Sequence, residues 1–258
     1  MLYLNALLAL VALQVVQGGS YGGDKFDYQP STDVEWENQS GEGAQAYEQE
    51  SYVPKPKCYA PPSQAPFNNK AITYNPNTDP ANFDSNPAGR KHGITADSVI
   101  KAGLKPGKIL QANGFKYSFA NWGKGKKDNW IESGQKVIVK SEPGANRLGF
   151  LLASDMGSFG AEYKIVYTDC STQNARVGAS DWKWKIELAP GNTVAQRGLV
   201  SSFNKVEVRL FSAEVPIEAN KEIAYVEFPN KVYPIHPYMR GYTGHVHVFA
   251  LATKKIGY

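Results

Sequence analysis

The sequence predicts an all-β protein: an antiparallel β-sandwich, jelly-roll-like, with one short helix and a disordered acidic tail in front. Three observations predict it. From Phe67 onward, apolar residues recur mostly at every second position in short runs. Gly, Ser, Asn and Asp bound those runs as turn signals, the pattern of a sandwich or barrel. Upstream the composition changes: residues 19–57 hold eight acidic residues against Lys25, Lys55 and Lys57, and almost no Leu, Ile or Val. The tail is therefore −5 while the whole chain is +4, which leaves nine net positive charges elsewhere.

The chain opens with an apolar run, Leu2 to Val16, broken only by Asn5 and Gln14. A membrane span needs ~20 apolar residues, so this run is short for one. Val16-Gln17-Gly18 suits a signal peptidase, and residues 1–18 read as a signal peptide cleaved after Gly18. A signal anchor is the alternative. The expected product is secreted and extracellular, with no membrane span. The triplet Asn38-Gln39-Ser40 agrees with that route and makes Asn38 a glycosylation candidate.

Residues 19–66 are expected to form the tail, because so little apolar surface cannot offset the entropy of ordering. Its last part, with Pro54, Pro56, Pro61, Pro62 and Pro66, reads as a stiff bridge. Residues 67–258 are long enough for one domain with a real core.

Strands are predicted over Phe115–Phe119, Lys136–Val139, Arg147–Leu152, Tyr163–Tyr167, Val206–Phe211, Ile223–Phe228 and Val246–Leu251. The helix is predicted over Ala96–Ala102, with Thr95 before it, Gly103 as a left-handed stop, and Val99 and Ile100 facing the sandwich. Asp169-Cys170 stands in the turn after Tyr163–Tyr167, where Asp-Gly is the ordinary choice. The only other cysteine is Cys58. In an oxidising compartment a Cys58–Cys170 bridge is expected, stapling the lead-in to the sandwich. A free thiol or an intermolecular bridge is the rival.

The order of short motifs resembles a known family. Phe67-Asn68-Asn69, Ile72-Thr73, Ala81-Asn82-Phe83-Asp84 and Ala102 to Gly107 come first. Asp128-Asn129-Trp130, Gly134 to Val137, Leu148 to Leu151, Tyr167-Thr168-Asp169, Ser171-Thr172, Ser180-Asp181-Trp182 and His247 to Leu251 follow. Together these resemble an accessory carbohydrate-binding-type β-sandwich module attached to bacterial secreted glycosidases. The resemblance covers nearly all of residues 67–253. It implies a sandwich without catalysis of its own. The sequence departs from the family's pattern after Asp169, where glycine is favoured, and at Trp130, where a smaller apolar residue is usual.

Sugar recognition needs flat aromatic faces with polar groups nearby. Trp122, in the polar stretch Asn121-Trp122-Gly123-Lys124, is the expected stacking platform, and Trp184, Tyr238, Arg240 and Tyr242 complete the candidate ligand-binding set. Trp130 and Trp182 are expected in the core. The lysine run Lys124 to Lys127 reads as a solvated loop. His245 and His247 share a strand face as a zinc pair would, but a structural pair is expected, so no metal and no cofactor are predicted. Glu162, Asp169, Asp181 and Glu187 are the carboxylates from which a glycosidase pair would have to come. No nucleophile elbow, zinc-protease motif or phosphate loop is present.

The expected function is therefore non-catalytic binding of polysaccharide or glycoprotein glycans, acidic ones among them, at a cell surface or matrix. A monomer is expected, with no nucleic-acid partner. A single-domain glycoside hydrolase and a structural wall or matrix protein are the alternatives.

Overall fold

The computed structural model describes residues 56–84, 91–183, 188–237 and 241–257, all within one compact unit. Residues 1–18, the tail as far as residue 55 with Asn38, and Trp184, Glu187, Tyr238 and Arg240 lie outside the described residues.

The chain forms, in order, β1 (Ile72–Thr73), β2 (Ile94–Thr95), α1 (Ala96–Lys101), β3 (Ile109–Ala112), β4 (Phe115–Ser118), β5 (Lys136–Val137), β6 (Arg147–Ser154), β7 (Phe159–Tyr167), β8 (Thr172–Ala179), β9 (Thr193–Val200), β10 (Glu207–Pro216), β11 (Ile223–Glu227), β12 (Tyr233–Pro234) and β13 (Val246–Lys254). Two antiparallel sheets build the predicted sandwich. One has the order β13-β6-β10-β9. In the other, β8 flanks β7 on one side, with β11 and β12 on the opposite side and β5 beyond β11.

The inner faces meet through aromatic rings: Phe150 of β6 lies 4.8 Å from Tyr163 of β7, which meets Phe228 edge-on at 5.0 Å. Period two explains the pairing. Ala161, Tyr163 and Ile165 of β7 point inward and are buried, while Glu162 and Lys164 point outward and are exposed.

The four-stranded sheet is covered on its outer side as well. The β3–β4 hairpin lies across β6 so closely that a Cβ at Gly149 would fall 2.6 Å from the Tyr117 hydroxyl. That hydroxyl bonds Ser212 at 2.7 Å. Phe119 stacks on Phe249 at 6.0 Å. The parallel pair β1–β2 and α1 extend this cover, with the Ser98 hydroxyl accepting the Val200 N–H at 3.0 Å.

Two expectations need correction. Val99 is buried on α1 as predicted, but Ile100 is 45% exposed. Ala96 and Val99, three apart, make the packed stripe, and Ile100 lies off it. Residues 56–66 also belong to the sandwich rather than to a loose tail. The Gln64 side chain accepts the Ile138 N–H at 2.7 Å, just past edge strand β5, and Ala65 O accepts the Trp130 indole N–H at 3.0 Å.

Candidate functional site

The turn from β7 to β8 builds the site's anchor. Tyr167 O accepts the Cys170 N–H and Tyr167 N–H donates to Ser171 O, both at 3.0 Å, around a three-residue loop. Such a loop needs a left-handed residue at its end, normally glycine. Here Cys170 takes that place with φ 65°. Asp169 stabilises the turn by accepting from the Ser171 hydroxyl and N–H. These bonds, with Lys221 at 3.0 Å, hold the Asp169 carboxyl down to about 2.

Cys170 is bonded to Cys58 across 112 positions, with Cα atoms 4.9 Å apart. A backbone bond from Cys58 N–H to Thr168 O at 2.9 Å lays the lead-in against the same turn. The predicted bridge is therefore present, and its geometric consequence is to fix Cys58's neighbours, Lys57 and Tyr59, over the outer side of the five-stranded sheet.

An open groove of about 490 Å³ results, lined by Lys57, Cys58, Tyr59, Pro61, Lys136 and Tyr225. Tyr225 faces outward because its neighbour Val226, paired with Val137 and Ile165, faces the core. Tyr59 is 77% exposed. The Lys136 ammonium lies 4.8 Å from the Tyr225 ring centre. An exposed contact of this kind is worth ~0.5–1 kcal/mol, so an anionic ligand can draw the lysine away and uncover the ring. Two aromatic faces and two ammonium groups suit a pyranose that carries acid groups.

The expected platform, Trp122, is not at the surface. It is 2% exposed, and its indole N–H donates to Leu104 O at 3.0 Å. The polar, glycine-flanked sequence around it folds back against residues 104–108, where Gly107 N–H donates to Ala120 O, so only the flanking residues reach solvent. Tyr242 is 56% exposed but does not line the groove. Trp130 and Trp182 are in the core as expected. The groove's aromatics escaped sequence reasoning: Tyr59 sat in a stretch read as tail, and Tyr225 was counted only as one residue of a strand. Its alternation with Ala224 and Val226 was the available signal.

A second polar constellation is buried beneath the cover of the four-stranded sheet. Both Asp128 oxygens accept backbone N–H groups, from Ala71 at 2.7 Å and Ile72 at 2.9 Å, and one also accepts the Asn129 amide at 2.8 Å. Burial pushes the Asp128 carboxyl up to about 6 against the pull of these bonds. His247 is fully buried, stacked on Phe83 with centres 4.0 Å apart, and its Nδ1 lies 3.1 Å from the Asn69 amide and 3.0 Å from Asn129 Oδ1. His245 instead bonds Glu132 at 2.6 Å, which raises its pKa. The two imidazoles thus have different partners, and each is part of the scaffold. Among the described residues no three His, Cys, Asp or Glu side chains are grouped to hold a metal.

The chain matches no known protein-family model and no curated protein sequence.

Proposed function

We propose that this protein is a secreted, non-catalytic β-sandwich that binds glycans carrying acidic groups at a cell surface or matrix. The observation that carries the reading is the groove beside the disulfide, where Tyr59 and Tyr225 are flanked by Lys57 and Lys136. Its volume falls in the range of small-ligand sites, ~300–1,000 Å³, and it is open to solvent. The disulfide and the resemblance to an accessory module both support an extracellular setting.

Of the four carboxylates a hydrolase would draw on, the three among the described residues are engaged elsewhere, and Glu187 lies outside them. Glu162 pairs with Arg176 at 2.7 Å, Asp169 holds its turn, and Asp181 accepts the Gly157 and Lys183 N–H groups. Retention on insoluble polysaccharides, with Tyr225→Ala and Tyr59→Ala beside the wild type, tests the reading. Loss of one stacking ring should weaken retention by ~1–3 kcal/mol, by analogy with stacking of other flat ligands, while melting changes little. Retention indifferent to both substitutions removes the groove from the function. Release of reducing sugar would favour the hydrolase, and no retention on any glycan would favour a structural role.

A further inference from the structure

We propose a second binding surface, separate from the groove, that takes an acidic polysaccharide by charge density. It lies on two loops that the fold ties together, residues 104–108 and 123–127. Trp122 donates to Leu104 O, Gly107 donates to Ala120 O, and Phe119 donates to Lys108 O at 2.9 Å. Each loop is also closed on itself, by Lys108 N–H to Lys105 O and by Lys126 N–H to Gly123 O.

Lys105, Lys108, Lys124, Lys126 and Lys127 are all exposed on these loops. None of the five pairs with a carboxylate among the described residues. The acids that lie beside them are already used. Asp79 is buried, is paired with Lys70, and accepts the Tyr74 N–H at 3.1 Å and the Gly125 N–H at 2.9 Å. Asp128 is buried under its own three donors. Asp79 therefore fixes the lysine loop without neutralising it.

Tyr74, 53% exposed, lies 6.0 Å from the Trp122 ring and adds a flat face beside the charges. Five lysines without an arginine make a field of hydrated point charges rather than a set of planar forks. Such a field suits a repeating polyanion, and its binding should weaken steeply with salt as counterions cease to be released. The disulfide points to an oxidising compartment, which favours uronate- or sulfate-bearing glycans over nucleic acid.

The test is retention of the full chain on immobilised polygalacturonate and dextran sulfate, with neutral dextran as control, at about 50 and about 200 mM salt. The triple variant Lys124→Glu, Lys126→Glu, Lys127→Glu should lose at least about tenfold in affinity at the lower salt and show a shallower salt dependence. Tyr225→Ala weakens only the groove, so the loss caused by the triple variant and its salt dependence should be the same with or without Tyr225→Ala, and this additivity separates the surface from the groove. Should the triple variant melt early, Lys105→Gln with Lys108→Gln serves in its place, with a severalfold loss expected. Undiminished retention by the folded variants overturns the proposal. So does a triple variant that causes no further loss once Tyr225→Ala is present, or tighter binding to duplex DNA than to either polysaccharide.

Discussion

The outward residues of the four-stranded sheet, Gly149, Leu151, Ala153, His247 and Phe249, are buried, whereas Glu162, Lys164, Asn174 and Arg176 on the other sheet are exposed. Both sheets share the core between them, so the difference arises wholly behind them. The first is roofed by the β3–β4 hairpin, α1 and the segment 67–84, and that roof is fastened by buried polar bonds to Asp128 and His247. The second is mostly open. Tyr233, Ile235 and Ala189 lie over Gly160 and Gly178, and the lead-in, held by the disulfide and by the Cys58, Gln64 and Ala65 hydrogen bonds, covers another part. A roof made of loops must satisfy its backbone groups out of reach of water, which is why a carboxylate stands where an apolar core would have none. The open sheet has no such need, and its outward side is where ligand chemistry can be placed.

The largest expected effect breaks the first fastening. Asp128→Ala leaves the Ala71 and Ile72 N–H groups and the Asn129 amide without their acceptor in a site closed to water. At ~1–3 kcal/mol for each of the three orphaned donors, a loss of roughly 3–9 kcal/mol is expected in urea unfolding. A loss below about 1 kcal/mol would mean that the roof does not depend on this carboxylate.

The second fastening is next. Cys58→Ser with Cys170→Ser should cost about 5 kcal/mol by the chain-entropy model for a loop of this length, before any native-state strain is subtracted. It should also release Lys57 and Tyr59 from the groove, so glycan retention falls with stability. Trypsin should cut at Lys57 far faster in the variant than in the bridged protein. Unchanged cutting would show that the backbone bond to Thr168 and the Gln64 contacts hold the lead-in alone.

The two regions also titrate with opposite sign. Asp128 has a folded pKa raised from 3.8 to about 6, so the native state holds this proton more tightly than the unfolded chain. Its contribution is greatest below pH ~4 and declines as pH rises to ~6, by roughly 3 kcal/mol in all. Asp169, at the open sheet's turn, is lowered to about 2, so its contribution is present above pH ~4 and is lost as pH falls toward 2. Stability measured from pH 2 to 7 in wild type and in Asp128→Asn checks the first. The decline between pH 4 and 6 should vanish in the variant.

The same contrast explains what was legible beforehand. Strands β6, β7, β10, β11 and β13 were evident because each has bulky inward residues, and the disulfide followed from two cysteines and the oxidising compartment the sequence predicts. Strand β8 was missed because its inward residues are Ala175, Val177 and Ala179, too small to stand out from a loop. Strand β9, at a sheet edge, alternates too weakly to be read. Trp122 was misplaced because polar neighbours in sequence say nothing about a fold-back onto Leu104. The groove was hidden for a related reason: Tyr59 and Tyr225 are 166 positions apart, brought to one place by a covalent bond that acts on neither.

The smallest effect belongs to the open sheet. Arg176 and Glu162 sit directly across β8 and β7 and bond at 2.7 Å, a shorter contact than many in the buried layer. Both side chains are largely in water, so the charges gain little from each other and remain hydrated when separated. Arg176→Ala and Glu162→Ala should each change stability by no more than about 0.5 kcal/mol, and the double-mutant coupling should be about 0.2–1 kcal/mol and shrink in salt. Asp128→Ala removes bonds of similar length and should cost several times more, because its donors have no water to turn to. A coupling above about 2 kcal/mol on the open sheet would show that its outer side is shielded in solution, and would point to a partner or to the acidic tail lying over it.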